Sequence, residues 1–114
     1  MDILVWSLQG LLAAAFLMAG LGKVMGSQMH KEGFTKWRLP QWFRIVTGLV
    51  EVVAAVLLII GYWQKDLILY GALLIVATGI GGTLTHIRIK DSIKNLMPIL
   101  ILGILGVILT VLNF

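Results

Sequence analysis

LMPILILGILGVILTVLNF, residues 96–114, decides the fold class. A helix on the surface of a soluble protein carries a polar stripe at every third or fourth residue, and this stretch shows none. It is long enough to cross a bilayer, which takes about 20 residues. Reading outward, three further stretches have the same character, at roughly 3–25, 42–63 and 67–87, and together the four consume most of the 114 residues. Hydrophobic residues make up 60% of the chain and charged residues 12%, where a soluble domain carries about 25% charged. Mean hydropathy is +1.03. The expectation is all-α: one membrane-embedded domain over residues 1–114, a four-transmembrane-helix bundle of up-and-down topology in a lipid bilayer. The opening Met1-Asp2-Ile3-Leu4-Val5-Trp6 lacks a basic leader and runs on into a full span, so it reads as retained.

Charge supplies an orientation. Lys23, Lys31, Lys36, Arg38 and Arg44 lie in or beside the first connection, and Arg88, Lys90 and Lys94 in or beside the third. Lys65 alone occupies the second. In an up-and-down bundle the first and third connections share a side, so the split is eight against one. The positive-inside rule places the eight in the cytoplasm, with both termini and the turn from Tyr62 to Asp66 outside. The reading is a multi-pass protein of a bacterial inner membrane. No nucleic-acid partner is expected, because the basic residues flank spans and form no separate domain.

Aromatic residues mark the same boundaries. Trp6, Tyr62, Trp63 and Tyr70 suit one interface, and Trp37, Trp42 and Phe43 the other. Trp42 and Trp63 stand about 31 Å apart at the helical rise, which matches the hydrocarbon thickness. Pro40 and Pro98 fall near span starts, where a missing backbone N–H costs little. The long first connection mixes Met29, Phe34, Trp37 and Leu39 with Lys31, Lys36 and Arg38, and reads as a strand of chain lying on the membrane surface.

Polar side chains inside hydrocarbon are costly, which makes them functional candidates. Glu51 lies about 13 Å beyond the interfacial Trp42, near the bilayer middle. Arg44, Thr47, Glu51 and Ala55 share its helical face. Gln9, Ala13, Phe16, Gly20 and Lys23 form a stripe on the first span, and Gly79, Gly82, Thr83 and His86 one on the third. Convergence of these faces would give Glu51 three candidate partners: Lys23, Arg44 and His86. The candidate ligand-binding set is therefore Lys23, Arg44, Thr47, Glu51, Thr83 and His86. Bland readings stand beside it: an ion pair fixing helix register, basic side chains reaching for headgroups, a solvated histidine, and glycines that pack helices. Gly103-Ile104-Leu105-Gly106 suits packing within the bundle or in a homo-oligomer equally well.

There is no cysteine, which excludes disulfides, thiolate metal sites and CxxC redox chemistry. No metal-ligand spacing and no nucleophile–His–acid set appears. Gly79-Ile80-Gly81-Gly82 follows no strand, so it is not a phosphate loop.

Ala19-Gly20-Leu21-Gly22-Lys23 closes the first span. Leu39-Pro40-Gln41-Trp42-Phe43-Arg44 leads into Gly48 and Glu51 of Gly48-Leu49-Val50-Glu51-Val52-Val53-Ala54-Ala55, and Thr85-His86 ends the third span. In these motifs, and along essentially its whole length, the chain resembles the DoxX-like family of small four-helix bacterial membrane proteins. The resemblance implies association with quinone-linked oxidoreductase systems and with resistance to quinones, catechols and oxidants. Related animal proteins are described as assembly factors. Lys23, Glu51 and His86 occupy the family's polar positions. No intrinsic cofactor is expected, and redox chemistry would require a bound quinone or a partner subunit.

Three functions follow as expectations. The first is a pocket for a small lipid-soluble molecule of quinone or phenol type, in a membrane subunit of a redox or stress-resistance system. The second is an assembly or interaction subunit with a membrane-protein partner and no ligand of its own. The third is a small proton-coupled exporter using Glu51. Whether the chain is itself an enzyme is left open.

Overall fold

A computed structural model describes residues 2–113; Met1 and Phe114, the ends of the expected domain, lie outside the described residues. Five helices follow in order: α1 (Asp2–Met25), α2 (Gln28–Lys36), α3 (Gln41–Ile60), α4 (Asp66–Arg88) and α5 (Ile93–Leu112). All but α2 are long and apolar enough to cross a membrane. Each spanning helix packs against its neighbour in sequence, and α1 meets α5 to close the ring. The chain is a multi-pass membrane protein with an all-α bundle fold.

The core is built from the faces that the sequence periodicity marks. Gln9, Leu12, Ala13 and Phe16 of α1 are buried against Ala54, Ala55 and Leu58 of α3 and Ile68, Ala72 and Ile75 of α4. Small residues draw the helices together: Gly71 abuts the Ala54 carbonyl and the Leu58 side chain, and Gly79 faces the backbone of Gly103 on α5. Large apolar side chains such as Leu49, Val53, Ile80 and Ile104 point outward, where lipid surrounds them.

Polar groups in this interior are tied to backbone that the helix ends leave free. Gln9 Nε2 donates to the Leu58 carbonyl at 2.6 Å. That carbonyl is free because the Tyr62 N–H, its normal partner, turns to Ile59. Tyr62 Oη then donates to the Trp6 carbonyl at 2.7 Å, stitching the α3–α4 turn to α1.

Two expectations need correction. The first connection, expected as a strand of chain on the membrane surface, is helical in its middle, α2. Ser27 Oγ accepts from the His30 N–H to cap it, and Phe34 inserts into the bundle at 2% exposure. Gly26 allows the reversal from α1 into α2, with a φ of 75° and a bond from the Ser27 N–H back to the Gly22 carbonyl, a Schellman turn that a side chain at Gly26 would strain. The fourth span begins at Ile93, three residues before the expected Leu96, because Ser92 Oγ caps it by accepting from the Asn95 N–H. Pro98 therefore lies inside α5 and removes one rung of its hydrogen-bond ladder.

α2 lies at the same end as the α4–α5 turn, held there by Lys36 against Asp91 and by the Arg88 guanidinium on the Trp37 carbonyl. The eight basic residues of the first and third connections thus gather at one end of the bundle, and Lys65 stands at the other.

Candidate functional site: a polar-roofed cavity between α3 and α4

Glu51 is joined to α1 by a geometry that glycine permits. A Cβ on Gly20 would sit 2.8 Å from the Gly48 carbonyl oxygen, and one on Gly48 2.8 Å from that of Gly20. The two backbones touch there. Lys23 and Glu51 each follow by three residues in helices that run oppositely, which separates them by about 9 Å along the bundle axis. Side chains lean toward the N-terminus of their own helix, so in this antiparallel pair they lean toward each other. Lys23 Nζ reaches Glu51 Oε1 at 2.6 Å. The lysine side chain is 13% exposed and the glutamate 3%, so the ammonium is the member that a visitor meets. Lys23 has three N–H donors, of which Glu51 takes one.

Arg44 is buried but does not pair with Glu51. Its guanidinium donates to the Lys23 carbonyl and, at 2.8 Å, to Gln41 Oε1. A cation on the last-turn carbonyls of α1 is favoured by the helix dipole. His30 of α2 lies nearby, its Nδ1 2.6 Å from Ser27 Oγ. Partial burial first, then the Lys23 and Arg44 charges, push its imidazole below the ordinary histidine value, so His30 is neutral at neutral pH.

His86 takes a partner from the α4–α5 turn. Lys90 adopts a left-handed φ of 56°, and the Asp91 N–H bonds back to the His86 carbonyl. This fold brings Asp91 Oδ2 to 2.8 Å from His86 Nδ1. Asp91 Oδ1 accepts from Asn95 Nδ2 and the Ser92 N–H, each at 2.9 Å, and from Lys36 at 3.5 Å. Hydrogen bonds from Asn95 and His86 hold the Asp91 carboxyl well below the usual carboxylate range, with Ser92 and Lys36 adding to the effect. Trp37 packs edge-on to the His86 ring at 5.2 Å.

These groups surround a cavity of about 750 Å³. α2 roofs it with His30 and Phe34, and with Trp37 just past its end, while Lys23 and Glu51 stand in one wall and His86, Asp91 and Asn95 in another. The rest of the lining is mainly apolar, through Val46, Val50, Ala77, Pro98, Ile99 and Leu102, with Thr47 and Thr78 among them. Phe43, Val46 and Val50 on α3, and Ala77 and Gly81 on α4, line it and are also exposed. The cavity therefore opens sideways between α3 and α4, toward lipid. A Cβ on Gly81 would meet nothing within 4 Å.

A family model, described as the DoxX-like family, matches residues 7–109. The chain belongs to the DoxX-like family. No curated protein and no solved structure matches it. The matched segment carries every residue of the cavity in this DoxX-like protein.

Of the six residues singled out from the sequence, Lys23, Glu51, Thr47 and His86 line this one cavity. Arg44, on α3, is not part of the lining and caps the last turn of α1 instead. Thr83 lies elsewhere, in a shallow groove between α4 and α5 with Val76, Ile80 and Leu100. Sequence reasoning missed Asp91, His30, Asn95 and Gly81. Asp91 and Asn95 flank the Ser92 cap in a D-S-x-x-N pattern, a helix-start signal that would have drawn attention to the turn. Among the described residues no group of three His, Cys, Asp or Glu side chains could hold a metal ion.

Proposed function

We propose that this DoxX-like protein binds a small lipid-soluble molecule of quinone or phenol type, drawn from the bilayer between α3 and α4. The observation that carries this reading is the lateral cavity, mainly apolar along its shaft and polar under its α2 roof. A ligand held there would place its ring oxygens at the roof, near Lys23 and His86, and its apolar body toward the bilayer middle. Lys23 suits a carbonyl or oxyanion acceptor, with Glu51 fixing its position. The family's association with quinone-linked redox and stress-resistance systems supports a role as a membrane subunit of such a system. A proton-coupled exporter is less favoured, since Glu51 is committed to Lys23 at 2.6 Å.

Equilibrium binding of a simple benzoquinone and an alkylphenol to the purified protein tests the proposal. Saturable binding that Lys23→Ala and Glu51→Gln weaken is the expected result. Absent binding, or binding indifferent to both changes, favours an interaction subunit without a ligand.

The basic end of the bundle is proposed to face the cytoplasm of a bacterial cell, with both termini outside. The chain has no cysteine, so single cysteines at Gln64 and Lys90 report sidedness to an impermeant maleimide on intact cells. Labelling at position 64 alone is expected, and labelling at position 90 alone reverses the orientation.

A further inference from the structure

His86 and Asp91 have features beyond those of a turn clamp. Asp91 is held by four donors from three directions: His86, Asn95, the Ser92 backbone and Lys36. It is ionised at neutral pH, so its contact with His86 Nδ1 fixes the proton on that nitrogen. The other ring nitrogen, Nε2, makes no hydrogen bond among the described residues, and in the neutral imidazole it is the acceptor. Trp37 packs against the ring, and the side chain, 11% exposed, lines the cavity. An oriented imidazole, backed by a carboxylate and facing a cavity that opens to lipid, is the arrangement of a base.

We propose that His86 Nε2 accepts the proton of a weakly acidic hydroxyl on the molecule held in the cavity, with Asp91 as its positioning residue. In this step the ligand O–H bond breaks and an Nε2–H bond forms. The electron pair stays on the ligand oxygen, and the resulting imidazolium lies beside the Asp91 carboxylate. No oxidant or further reactant is needed. The base selects its ligand: an aliphatic alcohol is too weak an acid to surrender its proton to imidazole, whereas a phenol or hydroquinone is within reach. The inference rests on the cavity reading above and sharpens it, because a quinone, with no hydroxyl, has no proton to give His86. The charged and titratable groups facing His86 are Asp91 from the turn, Lys36 and His30 from α2, and Lys23 and Glu51 across the cavity.

A nitrophenol bearing a short alkyl chain tests this, because its phenolate absorbs visible light. Its O-methyl ether serves as a companion that fills the same space without a proton to give. Both are bound to the full-length protein in nanodiscs, with protein-free nanodiscs as reference. The expected result is that both probes bind, and that the bound nitrophenol ionises about one pH unit or more lower than in lipid alone. His86→Gln should abolish that shift and Asp91→Asn should reduce it, with ether binding to each variant reporting that the cavity persists. If both probes bind but the ionisation midpoint is the same in wild type and His86→Gln, the proton-acceptor role is overturned and the cavity reading stands. If the shift follows Lys23→Met instead, the assignment to His86 is overturned. If neither probe binds, both readings fall.

Discussion

The seam between α3 and α4 is closed at one end and open at the other. Near the Tyr62 turn, Gly71 presses on Ala54 and Leu58, and a Cβ there would come within 2.9 Å of the Leu58 side chain. At the basic end of the same two helices, Gly81 faces open space. Glycine in one helix thus serves opposite ends, contact in one half and room in the other. The closed half is apolar apart from Gln9 and fixes the bundle. The open half gathers Lys23, Glu51, His30, His86 and Asp91, and α2 roofs the gap that the splayed helices leave.

The largest effect should come from the pair that ties the open half to α1. Glu51→Leu strands the Lys23 ammonium in apolar surroundings, at an expected loss of about 3–5 kcal/mol. Unfolding in mixed micelles measures it, and a loss under about 1 kcal/mol, typical of exposed pairs, would break the account of Glu51 as an interior anchor.

Gly71→Leu comes next. Overpacking the closed half should cost about 1–3 kcal/mol by the same titration, and a neutral result would mean that the seam is not closed there.

A smaller effect is expected from pH at the roof. Asp91 has a depressed carboxyl in the folded state, so its stabilisation is complete above the ordinary carboxylate value and is lost only as pH falls through the depressed one. The stability difference between wild type and Asp91→Asn should persist at about pH 5 and shrink below about pH 4. A difference that disappears near pH 6 would show that the carboxylate is not held as described.

Much of the helix packing was legible in the sequence, because hydropathy and helical period report directly which residues are apolar and which share a face. The stripe Gln9, Ala13, Phe16, Gly20 and Lys23 is the face that α1 buries, and Glu51 and Ala55 lie on the buried face of α3. The open half was less legible. Nine residues of mixed polarity, with Gly33 among them, carry too little periodicity to announce α2. The His86–Asp91 contact depends on a left-handed Lys90, a conformation that glycine or asparagine would advertise and lysine does not. Period alone fixes which residues of α4 stand together, but not which neighbour each face meets, so Thr83 was grouped with His86 while Gly81 and Thr85 line the cavity. The splay of α3 from α4 is a property of whole helices and has no local signature.

The central claim is that the open half is a binding cavity reached from the bilayer, and Gly81→Leu tests it most directly. The leucine side chain would grow into empty space, so stability should change by no more than about 0.5 kcal/mol from packing. Equilibrium binding of a labelled short-chain benzoquinone or alkylphenol, in nanodiscs, then decides. The account predicts saturable binding to the wild type and its loss in Gly81→Leu with unfolding unchanged. Equal binding to both proteins, or mere partition into lipid with neither, would contradict it.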